Sequence, residues 1–174
     1  MHYLKTPLED QVLDRLQPGD EVLLSGIIYT ARDAAHQRLM SLLEAGSPLP
    51  FDLKGQVIYY MGPSPTPKGA VIGACGPTTA YRMDDMTEPL LKNGLKGTIG
   101  KGSRSPKIRE YLKTYHAVYL IAVGGIGALY SQMIEHSEIV AFEDLGTEAI
   151  RKLRVKDFPL YVGIDTQGRD LYTQ

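Results

Sequence analysis

An apolar segment that is followed at once by an amphipathic one is the sequence feature that most constrains the fold. The apolar segment, EVLLSGIIYT (residues 21–30), is entered through a Pro-Gly-Asp turn and predicts a buried strand. Residues 32–46, directly behind it, predict a helix, because apolar residues recur there at helical spacing. The positions that define the buried face of this helix are Ala35, Leu39, Leu42 and Leu43. A strand that leads directly into a helix is typical of α/β domains.

Local signals predict the ends of this helix, and the rest of the chain continues the alternation. Thr30 and Asp33 have capping-box spacing at its start, and Gly46 predicts its end. Further strands are predicted at 56–62, 70–75, 116–123, 138–145 and 159–165. Helices are predicted at 87–94, 105–115, behind the glycines at 124–127, and at 147–153, with a hairpin at 166–168. We therefore predict one α/β domain over residues 1–174, with a mixed sheet, flanking helices and some antiparallel strand pairs.

Charge and hydropathy exclude several classes of partner. The formal net charge of the 174-residue chain is −1, so no long-range field points to nucleic acid or to an anionic membrane. Residues 1–16 carry acidic side chains where a signal peptide needs an apolar run, which predicts a cytoplasmic protein. The longest apolar stretch, residues 117–130, is too short for a membrane span and is broken by glycines. A site for a negatively charged ligand must therefore be built locally.

Cys75 is the only cysteine of the chain. A single thiol excludes an internal disulfide, and it excludes an iron–sulfur or zinc site that is built on several thiolates of this chain alone. We expect Cys75 to be a buried strand end and not a metal ligand.

Arg32, Asp33 and His36 form the first candidate site. Arg32 and His36 are four residues apart and share one face of the first helical turn. Free N–H groups gather at such a turn, and α/β folds bind ligands where a strand leads into a helix. The alternative is a solvated first turn in which both side chains pair with surface acids.

A second candidate follows a Gly-Pro turn in the segment GPTTAYRM (76–83). Thr78, Thr79 and Arg82 would supply two hydroxyl donors and a guanidinium beside the N–H groups of a turn, which suits an anion. The alternative is a purely local role. In that case the threonine hydroxyls cap a helical turn and Arg82 pairs with one of the aspartates at 84–85.

Two glycine-rich segments complete the candidates. In GKGSRS (100–105) the glycines would let the backbone approach a ligand while Lys101 points inward, although the spacing is not that of a P-loop. The alternative is a glycine-rich turn with a solvated lysine. The Gly-Ile-Gly at 125–127 starts a dinucleotide-binding fingerprint, but Tyr130 occupies the position of its third glycine. A turn that allows close helix–strand packing explains this second segment better.

The candidate residues together suit a small dicarboxylate. Arg32, Arg82 and Lys101 are cations, and Thr78 and Thr79 are hydroxyl donors. Each group would follow a separate strand, so all of them could meet at one edge of the sheet.

These segments resemble a known family. YTARDAAH (29–36), GPTTAYRMD (76–84) and GKGSRS (100–105), in this order, resemble the class I, iron–sulfur-dependent fumarate hydratases, at the β subunit or at the C-terminal region of fused forms. The tail at 155–168 also looks familial, so the resemblance covers essentially the whole chain. The L-tartrate dehydratase β subunit is a close relative. The Ser-Arg-Ser that follows Gly102 favours fumarate hydratase.

The resemblance implies a swivelling β/β/α fold and the reversible hydration of fumarate to malate in the tricarboxylic acid cycle. It also implies a [4Fe–4S] cluster that is bound by the three cysteines of a partner α subunit and not by this chain. A homodimer of the lone chain stays open. Two other functions also stay open: tartrate dehydration, and a non-catalytic module that binds carboxylates or nucleotides.

The resemblance also implies roles for individual residues. Thr78 matches the proposed catalytic base, and His36 matches a histidine that is catalytic in some relatives. The cations at positions 32, 82 and 101 would bind substrate carboxylates, and Thr79 would donate to the substrate or to the backbone.

Overall fold

A mixed β-sheet organises residues 1–173, the part of the chain that the computed structural model describes. Its strands are β1 (His2–Lys5), β2 (Glu21–Thr30), β3 (Val57–Tyr59), β4 (Gly97–Gly100), β5 (Val118–Ile121), β6 (Ile134–Ala141) and β7 (Ile150–Ile164). The helices are α1 (Asp10–Leu13), α2 (Asp33–Glu44), α3 (Glu88–Lys92), α4 (Pro106–Tyr115) and α5 (Gly127–Ser131). Short 3-10 helices span Ala80–Met86, Glu143–Glu148 and Leu171–Thr173. The predicted mixed α/β fold is confirmed. None of these helices is long and apolar enough to cross a membrane.

The sheet closes on itself like a barrel. Its order is β1-β2-β3-β4-β5-β7-β6, and β2 pairs in addition with β7. Pairs among β1 to β5 are parallel, whereas β7 runs antiparallel to β2, β5 and β6, as predicted for some of the pairs. The register of β2 on β7 shifts between Leu24 and Gly26. Gly26 is required there, because its φ is 109° and an added Cβ would lie 2.4 Å from Oγ1 of Thr6.

Both faces of the sheet are buried, and alternate strand residues enter two separate hydrophobic clusters. Val57 and Tyr59 of β3 pack into one cluster, and their neighbours Ile58 and Tyr60 pack into the other. The second cluster includes apolar residues of α2, α3 and α4. Each fully buried large apolar side chain contributes about 1.5–3 kcal/mol to stability, so this two-sided burial holds the strand ends in place.

Helix α2 begins as predicted but is capped differently. The capping box of Thr30 and Asp33 was wrong, because Oγ1 of Thr30 instead accepts the N–H of Arg151 at 3.0 Å. The free N–H of Ala34 donates to Oε1 of Glu148 at 3.1 Å, so a distant segment supplies the cap. Ala35 and the next helical positions on its face are buried as predicted, with Leu39 fully so and Leu42 and Leu43 in part.

Three local predictions were wrong. Residues 70–75 form no strand, because this segment bonds to its own loop: N–H of Ala74 donates to Oγ of Ser64 at 2.7 Å. Residues 147–153 form no α-helix: a 3-10 helix ends at Glu148, and from Ile150 onward the chain joins β7 between β2 and β6. The turn at 166–168 returns only to a single bridge between Ile164 and Asp170, not to a hairpin of two strands.

The carboxyl ends of β2, β3, β4 and β5 meet at one edge of the sheet, because these neighbouring strands are parallel. Arg32 follows the end of β2, and Lys101 follows the end of β4. The segment that holds Thr78 reaches the same edge beside Tyr60, just past β3. The sheet therefore brings the predicted segments to one place.

Candidate active site

The turn with the two threonines is bonded into the sheet edge between β3 and β4. The N–H of Thr78 donates to the carbonyl of Tyr60 at 2.7 Å, and the Thr78 carbonyl accepts the N–H of Lys101 at 3.1 Å. The N–H of Ala80 then donates to the carbonyl of Lys101 at 2.9 Å, so Thr79 and Lys101 form an isolated parallel bridge. The hydroxyl-bearing turn and the lysine are thus fixed on adjacent backbone segments.

Gly100 makes this approach possible. A Cβ at Gly100 would lie 2.9 Å from Cβ of Ala80 and 2.9 Å from the ring of Tyr60, and 3.2 Å from the carbonyl of Thr78. The sequence suggested that this glycine admits a ligand. In the structure, the absence of a side chain at Gly100 lets the threonine turn pack against it instead. Lys101, the next residue, is exposed.

Arg32, Asp33 and Arg82 form a second part of the site. Oδ2 of Asp33 accepts a hydrogen bond from Nε of Arg82 at 3.1 Å and forms an ion pair with its Nη2 at 3.0 Å. Nε of Arg32 lies 4.0 Å from Oδ1 of the same aspartate. The alternative in which Arg82 pairs with Asp84 or Asp85 was wrong, because these carboxylates bond to other cations.

Two polar atoms of this part are buried without a hydrogen-bond partner among the described residues. They are Nε of Arg32 and Oδ1 of Asp33. Buried polar groups are nearly always satisfied, and an unpaired guanidinium donor suits an incoming carboxylate. Gly62 leaves room for the stem of Arg32, because a Cβ at position 62 would lie 3.3 Å from Cδ of Arg32.

His36 lies beneath Arg32 and has no exposed surface. Its Nδ1 is 2.8 Å from the carbonyl of Arg32. Desolvation lowers the pKa of His36 to about 4, so the ring is neutral at neutral pH. The alternative in which His36 pairs with a surface acid was wrong, because the side chain never reaches the surface.

Arg104 supports the lysine segment from below, and sequence reasoning missed it. Its side chain is 0% exposed and lies over the rings of Tyr60 and Tyr119, at 5.3 and 4.8 Å from their centroids. Its hydrogen-bond acceptors are Asp84 Oδ1 at 2.6 Å, Thr98 Oγ1 at 3.1 Å, Tyr60 OH at 3.2 Å and Thr87 Oγ1 at 3.3 Å. The sequence shows only an arginine between two serines inside GKGSRS. Because arginine is rarely buried, this pattern did not indicate a buried residue.

The site suits the binding of anions that carry more than one carboxylate. Arg82 and Lys101 are exposed, and Arg32 is partly so. Thr78 and Thr79 are partly exposed beside them. Guanidinium, ammonium and hydroxyl groups at separate positions can together bind the two carboxylates of one ligand.

The described residues do not fit an iron–sulfur cluster. Among residues 1–173, no three His, Cys, Asp or Glu side chains are grouped so that they could hold a metal ion. Cys75 is buried, as predicted, although not in a strand, and its thiol lies 3.2 Å from the carbonyl of Gly73. Burial raises the pKa of this thiol to about 12, which opposes the thiolate that a cluster requires.

The fold and the site define a mixed α/β domain with a cluster of cations and threonines at one sheet edge. The chain belongs to the fumarase C-terminus family, whose model matches residues 3–174. The resemblance drawn from the three motifs is thereby confirmed.

The chain is similar to proteins named as fumarate hydratases and to a protein named as a tartrate dehydratase subunit. "Fumarate hydratase 2" of Leishmania major is 37% identical over 175 residues, which cover 98% of this chain and 31% of the relative. "Fumarate hydratase class I, anaerobic" of Escherichia coli is 40% identical over 153 residues, 87% of this chain and 28% of the relative. "Putative L(+)-tartrate dehydratase subunit beta" of Methanocaldococcus jannaschii is 36% identical over 180 residues, 100% of this chain and 92% of the relative. The chain thus spans about a third of the length of these fumarate hydratases.

Proposed function

We propose that this chain is the β subunit of a two-subunit iron–sulfur hydro-lyase that reversibly hydrates fumarate to L-malate. The names of the fumarate hydratase relatives support the reaction. The Methanocaldococcus jannaschii relative, which is named as a subunit and is matched over 92% of its length, supports a separate β subunit. In this proposal the chain is one cytoplasmic domain of the swivelling β/β/α type. A cysteine-bearing α subunit holds the [4Fe–4S] cluster.

One observation carries the proposal: three cations from three separate segments, Arg32, Arg82 and Lys101, come to the same sheet edge as Thr78. A dicarboxylate has two anionic ends, so it needs more than one cation. Nε of Arg32 has no hydrogen-bond acceptor among the described residues, and a substrate carboxylate would supply one. Thr79 lies beside Thr78 in the same turn and is proposed as a further donor to the substrate.

The proposed chemistry assigns different tasks to these groups. Dehydration of malate removes a proton from the carbon next to one carboxylate and hydroxide from the neighbouring carbon. Negative charge then grows on that carboxylate, and fixed cations stabilise it more strongly in the transition state than before it. Lys101, Arg32 and Arg82 supply the fixed charge.

Thr78 is proposed as the group that takes the proton. Its N–H and carbonyl are both engaged, to Tyr60 and Lys101, so the backbone cannot shift and the hydroxyl is the group that can react. An alkoxide is a weakly populated base unless cations and backbone dipoles stabilise it. The cations at the sheet edge are the candidates for that stabilisation.

Reconstitution tests the proposal. The chain would be produced anaerobically with a cysteine-bearing α subunit, and co-purification, iron–sulfur absorbance and fumarate hydration would be measured. A stable complex that hydrates fumarate supports the proposal. A chain that binds dicarboxylates but pairs with no such subunit and shows no turnover would instead be a non-catalytic carboxylate-binding module.

The second candidate is the β subunit of an L-tartrate dehydratase, which converts tartrate to oxaloacetate. The nearly full-length match to the Methanocaldococcus jannaschii protein of that name favours it. The reconstituted complex would be assayed on L-malate and on L-tartrate side by side. A kcat/KM that is higher for tartrate would assign the chain to the second candidate.

A further inference from the structure

We propose that His36 positions Arg32 for carboxylate binding and takes no direct part in proton transfer. This inference rests on the proposed function, in which Arg32 binds the substrate. It differs from the catalytic role that the family resemblance implies for His36.

The ring of His36 is closed off from the site surface. His36 is 0% exposed, so a substrate at the sheet edge cannot reach its ring in this structure. The Arg32 carbonyl receives two hydrogen bonds from His36, one from the backbone N–H at 2.9 Å and one from Nδ1 at 2.8 Å. A carbonyl oxygen only accepts hydrogen bonds, so Nδ1 carries the ring proton.

The other ring nitrogen of His36, Nε2, bears no proton. Nε2 of His36 is buried and has no partner among the described residues. The charged groups that act on the ring are Asp33, at the start of its own helix, and Arg104, of the segment behind β4, and no acceptor is in place for a second proton. Burial, which lowers the pKa of His36 to about 4, acts in the same direction. The ring is therefore a neutral donor through Nδ1.

His36 also connects Arg32 to the segment beside Thr78. Arg32 directly precedes α2 in an extended conformation, with φ −108° and ψ −160°, and the orientation of its peptide plane fixes, through ψ, the direction of its Cα–Cβ bond relative to the helix. The two bonds from His36 fix that plane. The His36 ring also packs edge-on against Tyr60, at 5.3 Å between centroids. The carbonyl of Tyr60 holds Thr78, so His36 ties Arg32 to the residue that anchors the proposed base.

Three variants separate positioning from proton transfer. His36→Asn places an amide nitrogen where Nδ1 stands, His36→Gln places one where Nε2 stands, and His36→Leu supplies neither. In the reconstituted complex we expect His36→Asn to keep KM within about twofold, and the other two variants to raise KM about tenfold with little loss of kcat. A kcat that falls about a hundredfold or more in all three, as for a lost acid or base, would overturn the inference. Wild-type kinetics in all three would overturn it as well.

Nuclear magnetic resonance of the isolated chain gives a readout that needs no activity. We expect a neutral ring with its proton on Nδ1 from pH 5.5 to 8, assigned by the signal that is missing in His36→Asn. The order parameter of the Arg32 Nε–H group should fall in His36→Gln and His36→Leu and be retained in His36→Asn. An Nε2–H ring, or an order parameter that is equal in all variants, would refute the inference. Failure of the wild-type complex to act on any 2-hydroxy diacid would count against the proposed function instead.

Discussion

Asp33 and Arg82 are joined through a single oxygen: Oδ2 of Asp33 accepts a hydrogen bond from Nε of Arg82 at 3.1 Å and lies 3.0 Å from its Nη2. Asp33 begins α2, and Arg82 lies in the 3-10 helix behind the threonine turn. The pair therefore fixes two site segments that are 49 residues apart. Because the side chains of Asp33 and Arg82 are 27% and 45% exposed, the pair contributes little to stability. Its effect is to hold the two site segments in position.

Asp33→Asn should weaken substrate binding without unfolding the protein. Loss of the carboxylate charge frees the Arg82 guanidinium from its place beside Arg32. We expect KM for malate to rise about fivefold to tenfold at nearly constant kcat, since a positioned cation contributes to binding more than to the proton transfer. The free energy of unfolding should change by less than about 1 kcal/mol. Steady-state kinetics of the reconstituted complex and urea unfolding of the chain measure the two quantities.

Asp144→Asn is the matched control for that variant. It removes the partner of Arg38, which also lies on α2. Nη1 and Nη2 of Arg38 donate to the two carboxylate oxygens of Asp144. We expect wild-type kinetics. An equal rise of KM in Asp144→Asn would show that the effect is a general loss of charge and not the loss of the pair at the site.

Local patterns in the sequence predict the elements whose signals are local. β2 has the predicted bounds, Glu21–Thr30, because an apolar run and a turn define it by themselves. α4 begins at Pro106 behind Ser105, as the fixed φ of proline at a helix start predicts. The meeting of Arg32, Thr78 and Lys101 at one edge also follows from local reasoning, because parallel strands place their carboxyl ends together.

Pairing between distant segments could not be predicted in the same way. The sequence at the start of β7 is compatible with a helix, because the apolar residues Ile150 and Leu153 are three positions apart. Only its antiparallel pairing with β2 makes it a strand. The partner of Arg82 is a distant aspartate, although two aspartates follow it in the sequence. Burial of Arg104 likewise depends on the rings and the carboxylate that surround it in the fold.

Asp84→Asn should destabilise the fold strongly. Oδ1 of Asp84 accepts Nε of Arg104 at 2.6 Å, and Oδ2 accepts the N–H of Ser105 at 2.6 Å. The two side chains of this pair are 4% and 0% exposed, so the variant leaves a buried cation without its counterion. We expect the free energy of unfolding to fall by about 3–5 kcal/mol, measured by urea unfolding.

Asp85→Asn provides the control at the next position. Asp85 is 86% exposed and pairs with Lys107, which is also exposed. Exposed pairs of this kind contribute at most about 1 kcal/mol, so this variant should unfold like the wild type. Equal stability of Asp84→Asn and Asp85→Asn would contradict the structural role of the buried pair.

Cys75 should be inert to thiol reagents in the folded chain. Burial raises its pKa from 9.0 to about 12, so the thiolate fraction at pH 8 falls about a thousandfold. Because the folded-state pKa is the higher one, this residue contributes stability that is present below pH 9 and is lost as pH rises toward 12. We expect dithionitrobenzoate to label the chain only after unfolding. Complete labelling of the native chain within seconds would be the opposite result.

Acidification should destabilise the chain through His36. Its folded pKa of about 4 lies below its ordinary value of 6.5, so the unfolded state takes up a proton first as pH falls. The stability that neutral His36 contributes is present above pH 6.5 and is lost toward pH 4, by about 3 kcal/mol. Urea unfolding at several pH values should show a shallower acid dependence in His36→Asn than in the wild type. The same slope in both would assign the acid sensitivity to carboxylates alone.

Thr78→Ala should abolish most turnover while leaving the site assembled. The substitution keeps the backbone bonds to Tyr60 and Lys101, because both use main-chain atoms of residue 78. Loss of the hydroxyl base should lower kcat by about a hundredfold to ten-thousandfold with little change in KM, and Thr78→Ser should recover most of the rate. Thr79→Ala is the neighbouring control, and it should raise KM while kcat is largely retained. Near-normal kcat in Thr78→Ala, measured in the reconstituted complex, would remove Thr78 from the role of base and leave Thr79 or a group of the α subunit to take the proton.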